Sequence, residues 1–577
     1  MFPSEKQIRR TLWILILMSL AVRAFVAGFI ELGNDEVYYW TYAKFPDLSH
    51  FDHPPMVGWV IQVFTLNLHF SNEFFIRLAS VVFGTVNTFL IFLIGKAVKD
   101  SLTGLYAAFL FTTSFYCFII SGTFIMPDTP QVLFWLLSLL FLIKSLPDRT
   151  LSKSSRSFLL ASGLAIGLAL LSKYHSVFLL AGAFLYILFF NRSWFRAKET
   201  YIAFVIAILM FTPVIIWNWQ NQFISFTFHE NRVSPSLSGI RLVYFIKEIL
   251  GQAVYNNPVN FIIILIAFAG LLRGRRILDK EKLWFILFMS IPLELVFLSF
   301  SLFNSTLPHW TGPAYIGFIL IAASFLREKS WKKTPSILIP WPIRGAVLLT
   351  VLLIIGGLAQ IKSGWIPFHR FKSDDFSAQL YGWRQLGEKF SPIAQKDFDS
   401  GAMPAGSPVI TFRWFPAANL DYYVATPINK KVYALGTLTR IHKYYWIDKK
   451  QGNIPKGADV YYLAFSDDFS SPGDLYGKLF DTIHPPDTIP IYRGNELIRN
   501  VFVYRLYGLK KEIRFDNLSD FTEPSNERVH YWMNQIRSHP EWMIQIKEKA
   551  KKQGGSVEDM IWMEAKFIAE REKMELN

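Results

Sequence analysis

The chain has 577 residues, 52% of them hydrophobic, with 54 Phe, 18 Trp, 24 Tyr and a formal net charge of +15. Charged residues are only 18%, against roughly 25% in soluble domains, and mean hydropathy is positive at +0.28. So much apolar surface excludes a disordered chain, and a single cysteine, Cys117, excludes an internal disulfide framework; the charge leaves either a nucleic-acid binder or a membrane protein with basic inner loops.

Apolar runs of about 20 residues can cross a hydrocarbon core of ~30 Å. Eleven such spans are predicted in chain order: 11–30, 78–95, 102–120, 129–145, 158–172, 175–190, 200–217, 257–272, 283–303, 310–326 and 345–361. The first follows Lys6, Arg9 and Arg10 like a signal peptide, but it is too long for a signal core and lacks a cleavage site, so it reads as an uncleaved span. The fifth and sixth are separated only by Ser172-Lys173-Tyr174-His175.

Loop charge tests this count. The segments 1–10, 96–101, 144–157, 191–199, 273–282 and 327–344 hold 22 Lys and Arg against seven Asp and Glu. The positive-inside rule makes these segments cytoplasmic. Fusing 158–190 into one span would put the basic loops at 149–156 and 192–198 on opposite faces, which favours two spans. With eleven spans, everything beyond about 362 is expected outside. The basic excess is then a topology signal, and no nucleic-acid partner is expected.

From Lys362 onward basic and acidic residues nearly balance, at 30 and 27. Short apolar strands at 409–412, 432–435, 460–464 and 501–504, alternating with helical stretches such as 381–390 and 415–424, predict a small α/β domain. Residues 525–553 and 556–574 predict charged amphipathic helices, broken at Gly554-Gly555. The expected organisation is a membrane domain over 1–361, an extracytoplasmic α/β domain over 362–515, and a charged helical tail over 516–577, solvated and without assigned function.

The outer loops carry the unusual chemistry. The first span ends at Glu31-Leu32-Gly33-Asn34-Asp35-Glu36, followed by Phe51-Asp52-His53-Pro54-Pro55-Met56. The acidic pair reads either as a solvated helix end or as a general base at the bilayer surface. The prolines fix φ and stiffen the loop, which suits a side chain that must be aimed. Asp128, after Met126-Pro127, reads either as an N-cap or as a third acid on this face. Lys173 sits at a break between apolar runs, where a charge is expensive and usually functional unless it snorkels. Phe228-His229-Glu230-Asn231-Arg232 forms a polar loop, and Pro308-His309-Trp310-Thr311-Gly312-Pro313 opens the tenth span. Arg23 and Glu294 lie inside spans, where they either pair with each other or line a polar cavity; a helix-packing role is expected for both. Cys117 is expected as a small buried hydrophobe.

At these residues the sequence resembles the bacterial membrane glycosyltransferases of the GT-C class. It is similar to the family 39 and 83 enzymes, related to the dolichyl-phosphate-mannose protein mannosyltransferases and the lipid A aminoarabinose transferase. The features run in order: Asn34-Asp35-Glu36-Val37-Tyr38-Tyr39-Trp40, Phe51-Asp52-His53-Pro54-Pro55-Met56-Val57, Met126-Pro127-Asp128-Thr129-Pro130, Ala169-Leu170-Leu171-Ser172-Lys173-Tyr174, Pro213-Val214-Ile215-Ile216-Trp217-Asn218 and His309-Trp310-Thr311-Gly312-Pro313-Ala314-Tyr315. The likeness covers about residues 10–330.

The resemblance implies a polytopic α-helical GT-C fold in the bacterial inner membrane, with the N-terminus cytoplasmic and the C-terminal domain extracytoplasmic. It implies sugar transfer at the outer interface, from an undecaprenyl-phosphate donor to a lipid, glycan or protein acceptor. Asp35 would be the catalytic base, with Glu36 and Asp128 completing the acidic set. Lys173 and Arg232 would neutralise the departing phosphate. Asp52, His53, His229 and His309 would bind substrate. Relatives can hold a metal where Asp52 and His229 stand here, so a divalent ion is the one cofactor implied. His53 departs from the lysine found at this place in the aminoarabinose transferases, which makes phosphate binding there depend on protonation. The competing reading is a transporter or flippase of lipid-linked saccharides, which would concentrate its polar groups near the midplane.

Overall fold

The computed structural model describes residues 3–233, 239–330, 339–366, 375–553 and 556–576. The chain forms two compact units, Met1–Gln360 and Ile361–Asn577.

The first unit is helical. Its elements are α1 (Glu5–Phe29), α2 (Asn34–Lys44), α3 (Met56–Phe64), α4 (Glu73–Val98), α5 (Ser101–Thr113), α6 (Asp128–Ser145), α7 (Lys153–Leu170), α8 (Val177–Phe190), α9 (Lys198–Gln220), α10 (Ile224–Val233), α11 (Leu242–Tyr255), α12 (Pro258–Leu272), α13 (Lys280–Ser301), α14 (Gly312–Ser330) and α15 (Trp341–Ser363). α1 starts with a reciprocal cap in which Gln7 N–H donates to Ser4 Oγ (3.2 Å) and Ser4 N–H donates to Gln7 Oε1 (2.8 Å). It buries Ile8, Leu12, Ile16 and Ser19, which share one face, and exposes Trp13, Ile14, Leu17 and Met18 on the other. Large apolar side chains turned outward are costly in water and suit a hydrocarbon surround.

Each predicted span falls on a helix, but the count of eleven is not reproduced. Among the described residues six helices are long and apolar enough to cross a membrane, or seven if α11 and α12, bent by 107°, form one span. The sequence runs hid breaks. The run 102–120 leaves the α-helix at Thr113 and re-forms as a π-helical turn over Tyr116–Ile120. α8 has 14 residues and so spans only about 21 Å. The separation of 158–172 from 175–190 is real: α7 ends at Leu170, Lys173 is extended, and a short 3₁₀ turn leads into α8.

Helices approach closely where a side chain is missing. A Cβ on Gly104 would lie 2.4 Å from the Phe92 carbonyl of α4, and one on Gly163 would lie 2.4 Å from the Ala203 carbonyl of α9. At one end of the unit the basic loops are tied together. Lys99 pairs with Glu328 (2.5 Å), Arg327 with Asp100 (2.8 Å), Arg149 with Glu281 (2.6 Å) and Arg156 with Glu199 (3.2 Å). Grouping these segments by charge therefore groups segments that meet in space.

The second unit is an α/β domain around a six-stranded mixed sheet. β1 (Val409–Thr411) lies between β2 (Val432–Ala434) and β3 (Val460–Phe465), all parallel. β6 (Glu496–Leu509) runs antiparallel to β3 and to both β4 (Phe480–Ile483) and β5 (Asp487–Arg493). The three parallel strands are fully buried, so they read as continuous apolar runs. β4 and β5 are half-exposed, with Pro490 inside β5, so the sequence hides them.

Helices α16 (Trp383–Asp399), α17 (Trp414–Leu420), α18 (Leu438–Ile441), α19 (Tyr444–Gln451) and α20 (Pro472–Tyr476) accompany the sheet. The tail forms α21 (Asn526–Ser538), α22 (Pro540–Gln553) and α23 (Val557–Leu576), so the expected helix 525–553 is split at His539. The tail is not a solvated appendage. Val529, Met533, Ile536, Ile546, Ile561 and Ala565 form their own core. Arg440 and Lys566 join it to neighbouring segments through Glu570 (2.6 Å) and Glu523 (3.0 Å).

Candidate active site

The predicted site residues come from α2, the loop 45–55, the start of α6, the break after α7, α10 and the turn before α14. These lie at the helix ends remote from the basic loops, because successive spans alternate direction.

Two adjacent acids of α2 have opposite fates. Glu36 is buried and engaged on both oxygens. It accepts from Arg77 Nε (2.7 Å) and Nη2 (2.5 Å), from Gly33 N–H (2.9 Å) and from Ile125 N–H (3.0 Å). Arg77 also donates to the carbonyls of Ala27 (3.0 Å), Ile30 (2.8 Å) and Glu31 (2.8 Å), which close the end of α1. Both oxygens are thus occupied by protein donors, so the geometry gives Glu36 a positioning place rather than a catalytic one. Asp35 is the accessible acid of the pair. It stands in a recess walled by protein. Desolvation there, with the charges of Asp52, Glu36 and Asp128, raises its carboxyl to about 6.

Asp128 is buried at the first position of α6 and does not cap the helix. Lys173 Nζ donates to both its oxygens (3.0 and 2.9 Å), and Tyr116 Oη donates to Oδ1 (2.9 Å). Lys173 is itself buried, so it does not snorkel, and its charge is compensated by Asp128. The π-helical turn aims Tyr116 here, and a Cβ on Gly312 would lie 2.2 Å from the Tyr116 ring. Gly312 follows the His309-Trp310 turn directly, which brings the last motif to the same place. His309 lies within electrostatic reach of Asp128 and has its ring 5.8 Å from Tyr255.

Asp52 Oδ1 accepts from Tyr38 Oη (2.8 Å) and Tyr42 Oη (2.5 Å), both on α2. His229 Nε2 meets the main-chain carbonyl of Asp52 at 2.9 Å, and its ring lies 6.3 Å from His53. Desolvation, with Lys173 and His229 nearby and against the pull of Asp52 and Asp128, brings the His53 imidazole down to about 3, which favours its neutral form. The side chain of Arg232 lies outside the described residues. Arg23 and Glu294 do not pair: Arg23 donates to Ser19 Oγ (3.2 Å) and stacks on Phe118 (4.4 Å), while Glu294 faces Gln252 and Glu248.

The donor set does not fit a resident divalent ion. His229 reaches the Asp52 main chain rather than its carboxylate, and Asp52 Oδ1 is held by two tyrosines. Among the described residues no three His, Cys, Asp or Glu side chains gather to hold a metal. Arg77, Tyr116 and Tyr38 were not singled out from sequence. A lone arginine within the apolar run of α4 was the available signal for the first.

Comparisons with known proteins bear on the fold that carries these residues. Residues 52–217 match the family model described as dolichyl-phosphate-mannose-protein mannosyltransferase. The lipid A galacturonosyltransferase RgtD of Rhizobium johnstonii is 25% identical over 325 residues, which is 56% of this chain and 65% of that protein. The alignment thus spans just under two thirds of the relative's length. The crystal structure of ArnT from Cupriavidus metallidurans in the apo state superposes with a TM-score of 0.54 at 15% identity, over 85% of this chain and 97% of that one. The same protein bound to undecaprenyl phosphate gives a TM-score of 0.54 at 14% identity, with the same coverage. The likeness to ArnT shows the fold: this chain has an ArnT-like GT-C fold.

Proposed function

We propose that the protein is a membrane glycosyltransferase that moves a sugar from a polyprenyl-phosphate donor to a lipid, glycan or protein acceptor at the extracytoplasmic face. The observation that carries this reading is the accessible Asp35 beside the buried Lys173–Asp128 pair, at the end of the bundle away from the basic loops. The likeness to a lipid A galacturonosyltransferase, and to a protein crystallised with undecaprenyl phosphate, supports the donor class. Neither likeness is to a transporter.

In this reading the acceptor hydroxyl gives its proton to Asp35 as its oxygen attacks the anomeric carbon. The bond from that carbon to the phosphate oxygen breaks, and its electron pair leaves with the lipid phosphate, so the configuration inverts. Asp128, oriented by Lys173 and Tyr116, accepts a hydrogen bond from a sugar or acceptor hydroxyl. Lys173 has a third N–H, which serves the phosphate oxygens; a fixed cation in a dry site stabilises developing charge without reorganising. Glu36 and Arg77 hold the turn that carries Asp35.

The test is transfer by the full chain in liposomes supplied with undecaprenyl-phosphate sugars and envelope lipids. Asp35→Asn is expected to lower turnover by about 10²–10⁴-fold, the usual contribution of a general base, with donor binding retained. Transfer at the wild-type rate removes Asp35 as base.

A further inference from the structure

The break between α7 and α8 holds more than Lys173. Tyr174–Ser176 forms a single 3₁₀ turn, closed by Ser176 N–H donating to the Lys173 carbonyl (3.1 Å). In such a turn residues three apart face the same way, which sets Lys173 and Ser176 side by side. Opposite them, Asp128 and Gln131 are also three apart, on one face of α6, and both are buried. Two rungs connect the pairs. Lys173 Nζ donates to both Asp128 oxygens, and Gln131 Nε2 donates to Ser176 Oγ (3.1 Å). Each rung joins residues 45 apart in the chain.

The second rung has a fixed direction. Ser176 Oγ carries one hydrogen and gives it to the Ala169 carbonyl (2.8 Å). It therefore accepts from Gln131, which must present its amide N–H. The same Ala169 carbonyl accepts the main-chain N–H of Lys173 (3.0 Å). Two residues on, the Leu171 carbonyl accepts from Met56 N–H (3.2 Å), where the Asp52-His53 loop ends. Gln131 thus ties α6 to the carbonyl from which Lys173 is hung. Its own Oε1 is buried without a hydrogen-bond partner among the described residues. Packing alone favours an apolar side chain of this length, which would orphan no oxygen. What the amide adds at this place is the bond to Ser176.

That bond bears on the lysine. A lysine ammonium sits on a long flexible stem, so pairing with Asp128 holds the charge but not the main chain behind it. The second rung holds the main chain. We propose that Gln131 is a positioning residue: through Ser176 it fixes the turn that carries Lys173, so that two of the lysine N–H groups stay on Asp128 and the third stays aimed at the donor phosphate. Gln131 touches neither substrate nor reacting atoms. The inference rests on the transfer reading above and adds to it the group that sets the cation in place.

The experiment uses the full chain in nanodiscs and two probes, undecaprenyl phosphate and the neutral undecaprenol, with transfer measured separately. Gln131→Met fills similar space without the N–H. It is expected to weaken undecaprenyl phosphate by roughly tenfold, about what one hydrogen bond to a charged group is worth, and to leave undecaprenol unchanged. Turnover is expected to fall about 10- to 100-fold, as for a displaced catalytic group. Ser176→Ala, a smaller change, is expected to do the same, and the double variant no more than either alone, because each removes the same rung. Undecaprenol binding that falls in parallel marks an ordinary packing defect and overturns the proposal. So does a wild type that binds both probes alike, a Gln131→Met variant with unchanged phosphate affinity, or a double variant that loses the sum of the two. Because binding needs no turnover, a phosphate-selective loss in a chain that transfers no sugar upholds the positioning of Lys173 and strikes only the transfer reading.

Discussion

Asp35 and Asp128 are carboxylates with opposite surroundings, and the difference assigns their work. Asp128 is matched by Lys173 and Tyr116, whereas Asp35 has acids for neighbours and a carboxyl raised to about 6. A base acts only when deprotonated. Its activity is therefore present above that value and falls as pH drops through it. The prediction is an acidic limb near pH 6 in the transfer rate at saturating substrate, absent from whatever residual rate Asp35→Asn retains. The same sign rule makes an ionised Asp35 a cost to the fold, since its folded value lies above the unfolded one; Asp35→Asn is expected to raise the thermal midpoint above pH 6. Lys173→Met is expected to do the reverse. It leaves Asp128 buried and uncompensated, a loss of about 3–5 kcal/mol, and thermal unfolding in detergent at neutral pH should show it as a large downward shift. An unchanged midpoint would mean that Asp128 takes up a proton at little cost.

At the level of elements, short connections do most of the positioning. The first turn of α2 is held by a buried clamp, Glu36–Arg77, which also closes the end of α1. Arg77→Met frees Glu36 and with it the turn that carries Asp35. Turnover is expected to fall at least tenfold although no reacting group has changed, and a pH profile that keeps its limb near 6 would identify the loss as one of position. The π-helical turn does the same for Tyr116. Gly312→Ala would place a methyl inside the Tyr116 ring, so transfer is expected to fall with it, more steeply than with Tyr116→Phe, which removes only the hydroxyl. These devices were poorly legible in the sequence. Glu36 and Arg77 are 41 residues apart, and Asp128 and Lys173 are 45 apart. Local pattern shows each as a charge near an apolar run, and only the helix crossings show which charges meet. By contrast, the break at Ser172-Lys173-Tyr174 was legible, because the loop charges allow two spans there and not one.

For the whole molecule the charge distribution is the strongest record of topology. The basic segments carry a net charge equal to the +15 of the chain, and the structure joins five of them at one end of the helical unit. If that end is cytoplasmic, a cytoplasm-only reporter fused after Lys362 stays inactive and an export-dependent one is active; the reverse result overturns the orientation. The second unit shows where pattern reading stops. Buried parallel strands announce themselves as apolar runs, but β4 and β5 are half-exposed edge partners of β6, with the composition of loops. The tail helices looked solvated because their charges dominate the composition, yet Val529, Met533, Ile536 and Ile561 close a core of their own.

The sequence by itself determined that the chain is a polytopic helical protein, that its basic loops form one group, and that acids and histidines gather at the opposite helix ends. Those properties are written in composition and period, which act locally and survive without knowledge of contacts. Only the tertiary structure decided which acid is accessible and which is held, that Arg23 and Glu294 do not pair, and that Glu248 and Glu294 meet in a buried cluster around Gln252. Those outcomes depend on the geometry of helix crossings and on breaks of a few residues, where a rotation of 100° per residue decides whether a charge meets its partner or a recess.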